Sequence, residues 1–472
     1  MLVARRSRRT KAGRPRPRPR HIGYLMLDWF GPALIFLILL VASLTGGANT
    51  ALSTQLFALS VAAVLMVVFI DPKFRAAFNR LPSLNAVFLG SSLVALVLFI
   101  QFAPLMICMP KPQPWARPDM VTIDPGWTLR GVTGFFSAIG LLVLGAIFAA
   151  DRESRRAIIL FFGLFYLLVV GFAGIEFLAS FGQPHDAVGA NSNRLNGSFV
   201  SANTMASLLI IGGISSLGFF FNDYNSNGGR IRTPATGLAL LVAVLCLIGL
   251  IATQSKAGLF VAGIIISIFV MFVPKWNRGT TLLLVVLAWF GLWAAVMYGD
   301  SFGFPLRQRD VNQSIFNRIP EWNGALSLFS SRPCLGWGGG TFSLALNPIQ
   351  PPPTQSVTLV ASTPHNFVLL VLSETGLVGA LAWTVLAYAC CRLLLRALIQ
   401  AEDQGPLLFS ITLGLGAVLA HNLVDYSLAV PLLAGVFCLT LGFAIGLGGR
   451  PRSRDSNGQL GLIPIEEVRR SL

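Results

Sequence analysis

Apolar windows recur along the whole chain at the length of a membrane-spanning helix. A hydrocarbon core of about 30 Å needs roughly 20 apolar residues per helix, and about twelve windows meet that length. They lie at 24–45, 51–70, 84–106, 131–150, 155–180, 199–221, 234–252, 257–274, 280–298, 375–397, 407–427 and 430–449. The pattern predicts an all-α integral membrane protein with about twelve transmembrane helices, nine of them in 24–298 and three in 375–449.

Composition supports this class. The 472 residues are 54% hydrophobic and 11% charged. Ordinary soluble domains carry about 25% charged residues. These fractions exclude a disordered chain and a soluble globular enzyme.

The surplus of positive charge indicates the topology. The net charge is +16, with 35 Lys and Arg. With the N-terminus inside, roughly 26 of the basic residues fall on predicted cytoplasmic segments. We therefore expect an N-in, C-in protein with cytoplasmic tails at 1–23 and 450–472. The basic N-terminal tail is typical of a segment that binds anionic membrane lipid, and we expect no nucleic acid partner.

One predicted outer segment, 299–374, is much longer than the ~15 residues beyond which a loop usually has a function. Within it, Arg318 and Trp322 are four residues apart, so a helix would place them on one face. The glycines from Gly336 to Gly340 allow a tight turn or a close approach to a ligand. An outer Arg beside an aromatic residue and a glycine run favours an anion site, although a solvated charge is the alternative.

The end of that loop predicts a helix start beside a histidine. Thr363 is a candidate N-cap and Pro364 suits the first helical position. His365 and Asn366 would then lie in the first turn, where the positive helix end favours a neutral imidazole that can accept a proton. A capping or packing histidine is the alternative interpretation.

Further polar residues lie at predicted outer helix ends. Arg194 precedes the sixth span, in which Asn203 would lie about two turns from the start, and Ser255 and Lys256 lie at the mouth of the eighth. Basic residues at a membrane edge either snorkel or converge on one polyanion, and both interpretations stay open. His421 and Asp425 would lie one helical turn apart near the outer end of the eleventh span, as a functional or a structural pair. Metal-ligand and nucleotide motifs are missing, so we expect no metal and no cofactor.

At these residues the sequence resembles the O-antigen ligase and O-antigen polymerase family of bacterial inner-membrane proteins. The resemblance rests on an ordered set of motifs. They are Arg194-x-x-Gly197-x-Phe199 with Asn203, Ser255-Lys256-x-Gly258, Arg318-x-x-x-Trp322, Pro333-x-Leu335-Gly336-x-Gly338, His365-Asn366, Glu374-x-Gly376-Leu377 and the stretch HNLVDYSL. The motifs span Arg194 to Asp425, and the first five spans match only in general character.

The resemblance implies a metal-independent, inverting glycosyltransferase of the integral-membrane GT-C type in the bacterial inner membrane, with its active site facing the periplasm. The donor would be a glycan on undecaprenyl pyrophosphate, and the acceptor a lipid A-core or another glycan. His365 would be the base and Arg318 would act with it, while donor or acceptor would contact Lys256, Arg194, Asn203, Ser255, Trp322, Asn366 and Asp425. The family usually has Arg where this chain has Lys256, which keeps the charge and loses the bidentate fork.

Three functions therefore stay in contention. A ligase that modifies lipid A-core is the first, and a polymerase of the same family that elongates a lipid-linked glycan is the second. A non-catalytic polysaccharide or lipid transporter is the third, from another class. Twelve spans suit a transporter, but the long outer loop with its basic residues and His365 favours an enzyme.

Overall fold

The computed structural model describes residues 22–104, 120–180, 194–273, 277–298, 308–346, 363–400 and 404–448. Helices dominate these residues, and none of them forms a strand. Most of the predicted N-terminal tail, the predicted C-terminal tail and parts of the predicted 299–374 loop lie outside the described ranges. The helices are α1 (Ile22–Leu44), α2 (Ala51–Ile70), α3 (Pro72–Phe78), α4 (Asn85–Ile100), α5 (Pro125–Ala150), α6 (Arg152–Ser180), α7 (Ala202–Ser226), α8 (Pro234–Ala252), α9 (Lys256–Phe272), α10 (Arg278–Tyr298), α11 (Gln308–Ser331), α12 (Phe342–Leu346), α13 (Phe367–Ile399), α14 (Gly405–His421) and α15 (Pro431–Leu447).

The predicted all-α membrane fold is confirmed. Each of the twelve predicted spans overlaps one helix, and α3, α11 and α12 are additional. Six helices, α2, α5, α6, α7, α8 and α13, are long and apolar enough to cross a membrane, and the other six that overlap spans are shorter apolar helices. Six spans therefore rest on length and composition, and the full count of twelve stays a prediction.

Glycines bring α5 and α15 into backbone contact at the centre of the bundle. A Cβ on Gly442 would lie 1.9 Å from the Leu142 carbonyl oxygen, and one on Gly145 would lie 2.2 Å from the Leu439 carbonyl oxygen. Small residues at a helix interface permit this approach because van der Waals contact, rather than the hydrophobic effect, drives helix association in lipid. The α5–α15 pair is therefore closely packed. The helices that contact it are α1, α2, α3, α4, α6, α7, α13 and α14.

The two ends of the bundle differ in their polar contacts. At one end Lys73 of α3 bonds Asp28 of α1, and its Nζ lies 2.9 Å from Asp151 Oδ2 between α5 and α6. At the other end Arg130 of α5 bonds Asn49 between α1 and α2, and its guanidinium lies 4.9 Å from the Trp127 ring centroid. The second end also carries the candidate site, and we call it the site end.

Several predicted helix boundaries are wrong for local reasons. Helix α5 begins six residues early because Asp124 caps it and Pro125 occupies its first turn. Helix α13 begins at Phe367 and not at 375, and it contains a break at Gly376, where φ is +64°. The predicted tenth span thus corresponds to the part of α13 after the break, and the predicted loop loses its last eight residues to the part before it.

The packing of α5 on α15 gives a first testable prediction. Gly442→Ala should lower the free energy of unfolding by about 1–3 kcal/mol, because its methyl group overlaps the α5 backbone and the helices must separate. Thermal unfolding in detergent micelles measures this loss. Gly416→Ala is the matched control, since a Cβ at Gly416 meets nothing within 4 Å. Equal unfolding temperatures for the two variants would contradict the close contact.

Candidate functional site

The glycine run after α11 docks into the break of α13. At the break, Leu377 N donates to Pro333 O at 2.7 Å and Val378 N donates to Cys334 O at 3.2 Å. In return, Trp337 N donates to Ser373 O at 3.1 Å and Gly338 N donates to Glu374 O at 2.9 Å. The backbone groups freed by the break are therefore satisfied by the glycine segment 333–340.

Glycine is required in this segment because protein atoms approach it closely. A Cβ on Gly336 would lie 2.4 Å from the Glu374 backbone, and one on Gly338 would lie 2.3 Å from Thr122 Oγ1. The positive φ of Gly336, Gly338 and Gly340 agrees with the predicted tight turn, and the close approach that the structure shows is that of the protein's own atoms.

The side chain of Gln101 holds the glycine segment 333–340 against the break in α13. Its side chain is fully buried. Its Nε2 donates to Leu335 O at 2.9 Å and to Glu374 O at 2.8 Å, while its Oε1 accepts from Gly339 N at 2.9 Å. One amide thus joins the end of α4 to the glycine segment and to α13.

Helix α11 lies beside the first part of α13 and carries both predicted residues of the 299–374 loop. Arg318 and Trp322 are one turn apart on this helix, as the spacing predicts. Ala325 and Leu328, in the following turns, pack in one apolar cluster with Leu370 of α13. This packing sets Arg318 and Trp322 near the segment that leads into α13.

The predicted cap of α13 is wrong by three residues. Asn366, and not Thr363, is the N-cap, and its side chain accepts from Leu369 N at 3.0 Å. Its Nδ2 donates to Leu423 O at 2.9 Å, so both ends of this amide bond the protein. His365 therefore stands outside the helix, with a φ of +42°. A positive φ at a non-glycine residue is uncommon and clusters at functional sites.

Asp425 is the centre of the polar network at the site end. Its side chain is fully buried. Oδ1 accepts from Asn203 Nδ2 at 3.1 Å and lies 3.5 Å from His365 Nδ1. Oδ2 accepts from Ser427 N at 3.1 Å and from the Ser427 hydroxyl. The carboxylate thereby links the start of α7 to the segment before α13.

Asn203 extends this network towards α9. It lies at the second position of α7, behind the N-cap Ser201, and not two turns into a span as predicted. Its Oδ1 accepts from Ser255 Oγ at 2.8 Å and from an Arg194 Nη at 3.4 Å. Arg194 Nε also donates to Thr253 O at 2.9 Å. Ser255 caps α9, and Lys256 is the first residue of that helix.

His421 has a different environment from His365. Helix α14 ends at His421, so Asp425 lies in the following turn and the two are not a helical pair. The His421 side chain is fully buried, with Nδ1 2.8 Å from Ser207 Oγ and Nε2 3.5 Å from Ser255 Oγ. These contacts favour the structural interpretation of this histidine.

The electrostatics of the site follow from burial and neighbours. Burial alone would raise the pKa of Asp425, but its contacts with His365, His421 and Ser427 lower it to about 2. Burial lowers the pKa of Arg194, and the charge of Asp425 acts in the opposite direction. Burial, together with the charges of Asp425 and Glu321, raises the pKa of Tyr426 to about 12. Asp425 is therefore an anion and Arg194 a cation at neutral pH.

Sequence reasoning missed Glu321. Burial raises the pKa of this carboxyl, and the charges of His365 and Arg318 lower it in part, so Glu321 lies close to both. Tyr426 is also new, and its ring contacts the His365 ring edge to face with centroids 5.2 Å apart. In the sequence, Glu321 could have been identified from its position between Arg318 and Trp322 on one predicted helix.

A large apolar cavity lies between α2, α4 and α5. Its volume is about 740 Å³. Its lining runs from Leu129 and Thr133 near the start of α5 to Val143, and includes Leu59 and Leu65 of α2. A cavity of this length and polarity suits a hydrocarbon chain.

The dock at the α13 break gives a second testable prediction. Gln101→Leu should leave the Gly339 N–H without its partner, and a buried unsatisfied polar group costs about 1–3 kcal/mol. Hydrogen exchange of the 336–340 amides should therefore quicken before global unfolding. Gln55→Leu, the same change at an exposed position of α2, is the control. Unchanged hydrogen exchange in the Gln101 variant would show that the Gln101 amide does not hold the glycine segment against α13.

The comparison with protein families agrees with the motifs. A family model described as O-antigen ligase matches residues 241–384. A search of curated proteins finds no matching sequence. The matched range includes Ser255, Lys256, Arg318, Trp322 and His365, and it confirms the resemblance drawn from them. Residues 241–384 of this chain are therefore similar to the O-antigen ligase family.

Proposed function

We propose that this protein is a membrane glycosyltransferase that moves a glycan from undecaprenyl pyrophosphate to a lipid A-core acceptor. The observation that carries the proposal is the contact between His365 and the buried Asp425, with Arg318 and Glu321 beside it. Several of these residues lie in the O-antigen ligase segment. Together they supply a base, a residue that orients it and a cation for a leaving group.

The chemistry we propose is an inverting single displacement. The acceptor hydroxyl oxygen attacks the anomeric carbon, and the bond from that carbon to the pyrophosphate oxygen breaks. The bonding electrons leave with the pyrophosphate, and the hydroxyl proton passes to His365. Asp425 faces Nδ1 of this imidazole, so Nε2 is the nitrogen left to accept the proton. A carboxylate on the far side of the ring fixes the tautomer and stabilises the imidazolium that forms.

Arg318 and Lys256 are the cations we assign to the departing pyrophosphate. Preorganised charge at a leaving group is often the largest contribution to catalysis. Arg194 takes a different role, because its guanidinium bonds Thr253 and Asn203 and supports Asp425. This changes the sequence-based assignment of Arg194 from a substrate ligand to a positioning residue.

The apolar cavity between α2, α4 and α5 suits the polyprenyl chain of the donor. Its Leu129 and Thr133 end lies near the glycine segment, since a Cβ on Gly131 would lie 3.4 Å from the Gly339 backbone. A lipid chain in the cavity would thus have its head group near the site end. We place this end in the periplasm, because the predicted cytoplasmic Lys and Arg belong to loops at the opposite end.

The break in α13 does not favour a transporter. Transporters use the free ends of broken helices to bind substrate near the bilayer midplane. Here the backbone groups at Ser373, Glu374, Leu377 and Val378 all bond the glycine segment. The break therefore serves the packing of the protein.

An assay with purified protein in nanodiscs tests the reaction. With undecaprenyl-pyrophosphate glycan and lipid A-core, we expect glycan on the core. His365→Ala should lower kcat about 10²- to 10⁴-fold through loss of general base catalysis. Arg318→Ala should lower it about 10²-fold or more. Arg75→Ala, an exposed arginine of α3 at the opposite end, is the control.

The products distinguish the alternatives. Longer lipid-linked glycan without core modification would indicate a polymerase. No product with either acceptor would reject the proposed reaction, and normal transfer by His365→Ala would reject the base. Normal donor affinity and turnover in Arg318→Ala would reject its phosphate role.

Asp425 provides a separate test of positioning. Asp425→Asn should lower kcat about 10²-fold or more, with a smaller change in donor KM, because the amide can hold the wrong tautomer of His365. Asp425→Glu should recover part of the loss, since it restores the charge. Steady-state kinetics beside thermal unfolding separates this effect from misfolding. A fall in stability that accounts for the whole loss of activity would make Asp425 purely structural.

A further inference from the structure

Buried polar atoms without hydrogen-bond partners concentrate beside His365. The described residues contain nine such side-chain atoms. Four of them belong to two short stretches: Glu321 Oε2 and Trp322 Nε1 on α11, and Thr363 Oγ1 and His365 Nδ1 before α13. His365 Nδ1 faces Asp425 at 3.5 Å, which leaves three atoms with no hydrogen-bond partner.

The two stretches lie against each other. Glu321 and Trp322 are one turn before Ala325, and the cluster of Ala325, Leu328 and Leu370 joins α11 to α13. Thr363 is two residues before His365, and His365 lies near Glu321. The three unpartnered atoms therefore border the residue that we assign as the base.

The chemistry of the three groups identifies the kind of ligand. A carboxylate oxygen accepts, an indole N–H donates and a threonine hydroxyl does both. A sugar hydroxyl also donates and accepts, so neighbouring hydroxyls of one pyranose match this set. A pyrophosphate does not, because it cannot donate to Glu321 and carries the same charge. Leaving buried polar groups unpaired costs about 1–3 kcal/mol each, a cost that a bound ligand removes.

We propose that Glu321, Trp322 and Thr363 form a subsite for the hydroxyl groups of the acceptor sugar. The subsite belongs to the acceptor because the attacking hydroxyl must lie beside His365, while the pyrophosphate leaves from the opposite face of the donor sugar. This inference rests on the proposed function and adds to it the residues that recognise the acceptor. Arg318, on the turn before Glu321, marks the boundary with the phosphate-binding side.

Kinetics with the acceptor as the varied substrate test the subsite. Trp322→Phe, Thr363→Val and Glu321→Gln each remove or alter one polar group and keep most of the shape. Each should raise the acceptor KM about 5- to 30-fold, as expected for one lost hydrogen bond. The donor KM should stay within about twofold. Trp29→Phe and Thr384→Val are matched controls at exposed positions of α1 and α13.

Each outcome has a distinct meaning. An unchanged acceptor KM in folded variants, with normal transfer by the wild type, overturns the subsite and leaves the proposed function standing. A rise in donor KM alone also overturns it, because the groups would then bind the donor. Failure of the wild type to modify any acceptor rejects the proposed function instead. Thermal unfolding identifies a variant that does not fold, and the remaining two variants then decide.

Discussion

The buried carboxylate of Asp425 is the constraint on which the site end depends. A charge removed from water must be paired and hydrogen-bonded, or its burial costs several kcal/mol. Asp425 meets this demand with Asn203 from α7, Ser427 from its own turn and His365 from the segment before α13. Elements that are distant in sequence are therefore held at fixed positions around one anion.

A second constraint acts from the break in α13. Freed backbone groups in an apolar bundle need partners, and the glycine segment 333–340 provides them. Because this segment follows α11 directly, satisfying the break also fixes α11 against the first half of α13. The same docking that completes the backbone hydrogen bonds thus brings Arg318 and Glu321 beside His365. The packing of α11 and the position of the site residues therefore both depend on the break in α13.

The sequence was informative for features that depend on residues close together in the chain. Hydrophobic windows predicted the all-helical membrane fold and overlap twelve of its helices, and the i, i+4 spacing placed Arg318 and Trp322 on one helix. It failed where a contact between distant segments decides the outcome. Asn366 displaces Thr363 as the cap because Leu423 offers its amide a second partner, and Asp425 leaves α14 because Asn203 and Ser427 bind it. Glu321 has no motif of its own, so only the fold could place it beside His365.

In the proposed reaction, the distribution of charge separates two kinds of ligand. Arg194 bonds Thr253 and Asn203, and the cations that we assign to the pyrophosphate are Arg318 and Lys256. Glu321 opposes a third phosphate contact on the His365 side of α11, since an anion there would meet a carboxylate. We therefore expect phosphate on one side of Arg318 and neutral hydroxyls on the other. A displacement that must keep its leaving group and its nucleophile on opposite faces of one carbon needs such a division.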